Sequence, residues 1–239
     1  MSDESKPAKP ASLGEMAEDA SGFGLSDLRL TRDLVLRPGA VQDAYDAHGS
    51  SAGGRYPRPM RYYIALNGVW FLAIALMGGY ETMLSASSLD IYAMWGGGSG
   101  KERAEFMADF EQWLSLLSLP LMTLFVAGPL FWAISRWSPL DWRHDLNQTV
   151  TFLNAWTLYQ IPFSVLLLVW PREMAPWSIL AMLVAAIAAY VAIGSGRWWR
   201  TTGGAVGKAV LLCLLILALL IPATLVSGFL ALQGAIYAP

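Results

Sequence analysis

Residues 209–239 read AVLLCLLILALLIPATLVSGFLALQGAIYAP, with no charged side chain anywhere in the run. About 18–20 predominantly apolar residues suffice for a helix to cross a hydrocarbon core of roughly 30 Å. The bilayer offers no water to unpaired backbone groups, so such a crossing is helical. This stretch therefore reads as a transmembrane helix and sets the frame for the chain before it.

Four further uncharged runs precede it: Tyr62 to Tyr80, Trp113 to Ser135, Leu146 to Pro171 and Met174 to Gly196. Arginines mark most of their ends, among them Arg61, Arg136, Arg172 and Arg197. The expected spans are about 62–84, 113–135, 148–170, 176–196 and 209–232. The fold class that follows is an all-α integral membrane protein, a bundle of about five transmembrane helices with short amphipathic interfacial helices. Composition agrees, because 14% of the 239 residues are charged against about 25% in a soluble domain. Mean hydropathy is +0.44. A net charge of −2 provides no basic footprint, so no nucleic-acid partner is expected.

Charge next to the spans orients them. One side would carry Arg55, Arg58, Arg61, Arg136, Arg143, Arg197, Arg200 and Lys208; the other, Lys101, Arg103 and Arg172. The positive-inside rule then puts the N-terminus in the cytoplasm, and an odd number of crossings puts the C-terminus outside. Trp132, Trp137, Trp142, Trp170, Trp177, Trp198 and Trp199 gather near the boundaries, as interfacial anchors do. Of the prolines inside spans, two fall in span two (Pro120 and Pro129), which makes that helix the expected irregular element.

Before the first span, residues 1–24 read as a disordered cytoplasmic tail and 25–60 as a juxtamembrane segment, leaving 61–239 for the transmembrane domain. Leu25, Leu28, Leu34 and Val35 can share a helical face, with Asp27, Arg29, Arg32 and Asp33 as its polar positions and Ser26 as N-cap. Arg37-Pro38-Gly39 breaks this helix. A short turn through Val41, Ala44 and Tyr45 then leads to a flexible stretch, Gly49 to Gly54. Beyond span one, Phe106, Met107, Phe110, Trp113 and Leu114 recur at helical spacing opposite Glu102, Glu105 and Asp109, an amphipathic entry to span two.

Residues able to carry chemistry are few. His48 and His144 lack ligand-spaced companions, and Cys213 stands alone in an apolar run; no metal, cofactor or catalytic set is expected. Ionisable groups near the membrane are Glu81 and Lys208, both at boundaries where a long side chain can reach the headgroups. Asn154, Thr157 and Gln160 recur every third residue and form a candidate polar seam on span three, for interhelical hydrogen bonds or a solute path. Asp141, Arg143, His144 and Asp145 make a dense polar cluster in the expected loop between spans two and three. It reads as an ordinary charged loop, a headgroup site or a weak acid–base site.

Two stretches carry a family resemblance: Arg32-Asp33-Leu34-Val35-Leu36-Arg37-Pro38-Gly39 and Arg55-Tyr56-Pro57-Arg58-Pro59-Met60-Arg61-Tyr62-Tyr63. They resemble the entry segment of bacterial membrane proteins of the DUF3667 type, and the five-span plan looks like the Yip1-like membrane proteins. The cysteine ribbon of the first group is missing, and so is its Glu-His pair entering span three. The resemblance implies a bacterial inner membrane and no defined reaction. The functional expectation is a non-enzymatic accessory, scaffold or assembly subunit, in contact with the bilayer and with a membrane protein partner. The alternatives are a small-solute or lipid transporter subunit and a lipid-modifying membrane enzyme.

Overall fold

The computed structural model describes residues 24–76, 90–138, 141–194 and 197–237. Glu81, the tail before Gly24 and the distal part of the expected first span (77–84) lie outside the described residues. Among the described residues the regular structure is helical, with no strand. Three helical runs are long and apolar enough to cross a membrane: Arg103–Trp137, Trp142–Leu167 and Thr202–Tyr237.

The polar N-terminal part folds into a cap. Helix α1 (Leu25–Leu36) stops where Pro38 would lose its backbone bond, and α2 (Pro38–His48) restarts with that proline in its first turn. Of the apolar face expected on α1, only Leu34 turns inward. Leu25, Leu28, Val35 and Leu36 are exposed, whereas Asp27, Leu30, Asp33 and Leu34 are buried. The physical reason is that both aspartates find partners inside. Asp27 Oδ2 accepts from the Gly24 N–H at 2.7 Å, which makes Gly24 rather than Ser26 the N-cap. Asp33 Oδ2 accepts from the Tyr56 hydroxyl at 2.8 Å, and its Oδ1 from Arg32 Nε at 2.9 Å.

Nor is the Gly49 to Gly54 segment loose. It forms a 3-10 turn with the left-handed residues Gly49, Ala52, Gly53 and Gly54, and Ala52 is buried in the core. The motif tyrosines close the cap: Tyr45 donates to the Pro57 carbonyl at 2.6 Å, and the Tyr62 and Thr31 hydroxyls share a 2.6 Å bond.

From the cap the chain enters α3 (Pro59–Leu76). After a short α4 (Ile91–Trp95), α5 (Arg103–Met122) passes through a π-helical segment, Thr123–Ala127, into α6 (Gly128–Trp137). The irregularity expected in span two therefore lies between Pro120 and Pro129, which withdraw two backbone donors from adjoining turns. Helix α7 (Trp142–Val169) runs back beside α3, and a single turn, α8 (Pro171–Met174), leads to α9 (Ser178–Gly194) and α10 (Thr202–Tyr237). Chain direction alternates from helix to helix. His144 at the start of α7 and Arg197 between α9 and α10 both reach the cap. At the opposite end, Phe106, Met107 and Phe110 pack on Ala231, Leu232 and Ala235. The amphipathic entry to span two thus belongs to one continuous helix, and its apolar face covers the end of α10.

Candidate functional site

The densest polar assembly lies where the cap meets the bundle. On α2, Gln42, Asp43 and Asp46 fall at helical spacing, and Gln42 donates to Asp46 Oδ1 at 2.8 Å. Arg197 arrives from the other end of the sequence. Its Nε donates to Asp46 Oδ2 at 2.8 Å, one terminal nitrogen to the Ile193 carbonyl at 3.0 Å, and the other to Asp43 Oδ1. A planar guanidinium suits this work, because its donors are fixed in a fork. Gln148, fully buried on α7, donates weakly to Asp46 Oδ1 at 3.4 Å and accepts from the Trp198 indole at 2.9 Å. The Trp198 ring then stacks near Tyr190, with centroids 5.4 Å apart, and lies edge-on to Phe152.

The cluster expected in a loop is instead the first turn of α7. Asp141 is its N-cap, accepting from the N–H groups of Arg143 and His144 at 3.0 Å each. Those bonds, with the His144 ring, hold the Asp141 carboxyl below the usual carboxylate range. His144 Nδ1 lies 2.8 Å from Asp141 Oδ1 and Nε2 lies 3.2 Å from the Asp46 carbonyl. Both partners are acceptors, so both ring nitrogens donate only in the imidazolium form. Asp145 points inward and is buried, its Oδ1 without a hydrogen bond among the described residues. Arg143 is exposed, and its guanidinium carbon sits 5.5 Å from the Trp142 ring centroid.

Beside this turn opens a cavity of about 660 Å³, lined by His48, Arg58, Met60, Asp141, Arg143 and His144, among others. Arg58 and Arg143 make no ion pair among the described residues. The chemistry on offer at the mouth is therefore anion binding, while the acids behind it are engaged by Arg197.

The polar seam divides. Asn154 Nδ2 donates to the Pro59 carbonyl at 3.1 Å and so fixes the start of α3. Thr157 and Gln160 instead line a separate cavity of about 150 Å³ with Tyr63, Leu153, Trp156 and Leu220. Lys208 donates to the Trp198 carbonyl and lies 5.3 Å from the Trp137 ring centroid, a structural use of its charge. Among the described residues, no group of three or more His, Cys, Asp or Glu side chains could hold a metal ion.

Family models, curated proteins and solved structures offer no match to this chain.

Sequence reasoning missed Gln42, Asp43, Asp46, Gln148 and Trp198 as one network. Arg197 had registered only as a boundary charge. A carboxylate and a guanidinium 151 positions apart leave no local pattern. The one available cue was an acidic pair on a short helix facing an arginine expected on the same side of the membrane.

Proposed function

We propose that this chain is a non-enzymatic integral membrane protein that holds a folded cap at the cytoplasmic membrane surface, as an accessory or assembly subunit of a membrane complex. The observation that carries this reading is the clasp of Asp43 and Asp46 on Arg197. It binds the cap to the bundle and commits both carboxylates to architecture. The apolar row Leu25, Leu28, Val35 and Leu36, turned away from the bundle, offers a surface for a membrane protein partner. Five crossings, with the N-terminus inside and the C-terminus outside, are supported by the flanking arginines and by the alternating chain direction. The motif resemblance supports a bacterial inner membrane.

The test is purification of the full chain from native membranes in mild detergent, with mass spectrometry of what accompanies it. A stoichiometric protein partner that is lost in Leu28→Glu is the expected result. A chain that arrives alone and restores a transport defect by itself would sink the reading.

The small cavity at Thr157 and Gln160 favours a second reading, a solute path along α7. Gln160→Leu is the informative substitution, since Asn154 is occupied in anchoring α3. Unchanged flux in that variant would remove the path.

A further inference from the structure

The 660 Å³ cavity does not end at its polar mouth. Met60 and Leu146 on its wall also line an apolar groove of about 280 Å³ between α3, α7 and the π-helical bend, with Tyr63, Leu124, Gly128, Phe131 and Val150. Met60, Tyr63 and Leu124 continue into a further hollow of about 440 Å³ along α3 beside Pro120. One face of the molecule therefore sets a cationic basin beside a row of adjoining apolar hollows that share Met60, Tyr63, Leu124 and Leu146.

The basin is built for a phosphate. Arg58 and Arg143 stand at it with guanidiniums unpaired among the described residues. His144 turns its two ring nitrogens to the acceptors Asp141 Oδ1 and the Asp46 carbonyl, and the first turn of α7 begins there. Asp141 is the one acid on the wall, and its Oδ1 is engaged by the two backbone N–H groups and the His144 ring. The apolar groove is a trough built for hydrocarbon. The π-helical segment supplies Thr123, Leu124 and Ala127 to its wall, and a side chain added at Gly128 would meet no atom within 4 Å.

The geometry points to a bound anionic phospholipid, with its phosphate between Arg58 and Arg143 and one acyl chain in the trough past Met60 and Gly128. A free phosphate ester would satisfy the basin alone, whereas a lipid satisfies the basin and trough together. This site rests on the membrane reading above, because only an inserted chain meets lipid laterally along α3.

The full chain is reconstituted in nanodiscs of phosphatidylcholine containing one-tenth phosphatidylglycerol, then released and examined by native mass spectrometry. One phosphatidylglycerol retained per chain is expected. Retention should drop at least tenfold in Arg58→Ala/Arg143→Ala, which removes the phosphate contacts, and in Gly128→Leu, which fills the trough. Both arginines are exposed and the Gly128 site is open, so neither variant needs the fold to rearrange; Val210→Leu, on the exposed outer side of α10, serves as control and should retain lipid.

Equal retention in all three variants would overturn the site. So would full displacement of the lipid by glycerol phosphate together with unaltered glycerol phosphate binding in Gly128→Leu, since the ligand would then be a soluble phosphate ester. Carbonate extraction of native membranes separates the two levels: release of the chain defeats the membrane reading itself, and a retained chain without lipid defeats this site alone.

Discussion

Two seams hold this molecule together, and they are made differently. Where the cap meets the bundle, exposed Asp43, half-buried Asp46, buried Gln148 and Trp198, and Arg197 join through directional bonds. Where α5 meets α10, there is close approach: Trp113 lies against Gly234 so tightly that a Cβ there would stand 2.4 Å from its ring, and Ala231 and Ala235 sit under Phe106 and Phe110. Lipid tails are as apolar as leucine, so helices inside a bilayer gain little from hiding leucine from them and associate through small residues and packing. At the water-facing end, an unpaired buried carboxylate is costly, and pairing decides which face turns inward. The contrast teaches that hydrophobic periodicity predicts orientation poorly where polar side chains have partners waiting.

The strongest way to break that contrast is Trp198→Ala. It empties a fully buried indole and strands Gln148 Oε1, and it should cost about 3–5 kcal/mol, read as loss of cap protection in hydrogen exchange while α5 and α10 keep theirs. The mirror experiment is Gly234→Leu, which overpacks the Trp113 contact and should cost about 1–3 kcal/mol with the cap's protection unchanged. Coupled loss in both variants would mean the seams are one cooperative unit.

A smaller effect is expected from Tyr56→Phe, about 1.5 kcal/mol, because it removes a hydrogen bond to a charged group. This variant also sharpens the pH behaviour of the cap. Burial pushes the Asp33 carboxyl up, but the Tyr56 hydroxyl, Arg32 and Arg37 outweigh it and hold the group below its ordinary value of 3.8. A depressed folded-state value stabilises the cap above pH 3.8, and this contribution is lost as pH falls through the lower, folded value. Acid titration of cap protection should therefore show a flatter profile in Tyr56→Phe; an identical profile would remove Asp33 as its cause. The smallest effect belongs to Leu214→Ala on the exposed side of α10. Measured in detergent micelles, it should stay within about 0.5 kcal/mol.

Legibility followed the same division. The long apolar runs located α5–α6, α7, α9 and α10, because lipid demands one property of a whole segment, but α5–α6 and α10 extend well past the expected spans 113–135 and 209–232, to Arg103–Trp137 and Thr202–Tyr237. Pro120 and Pro129 located the π-helical bend, and Phe106, Met107 and Phe110 marked the buried face of the entry turn. The cap was legible as an element and not in its orientation. Asp27 and Asp33 read as surface positions because nothing local announces that Gly24, Tyr56 and Arg61 will meet them. The Asp141 to Asp145 cluster was found as chemistry but placed in a loop, because the uncharged run starts only at Leu146 and hid the N-cap signal that Asp141 carries for a 28-residue helix. Its cavity was invisible, because Arg58 and Arg143 belong to different elements.

The clasp on Arg197 also sets an order of events during synthesis. Asp43 and Asp46 leave the ribosome 154 and 151 positions ahead of their counter-ion, with α3, α5–α6, α7 and α9 made in between. Until then the cap has Tyr45, Tyr56 and Asp33 to organise it, but nothing from the α9–α10 connection to fasten it. Throughout that interval the nascent chain carries an acidic face open to chaperones, proteases or an assembly partner, and the arrival of one arginine closes the window.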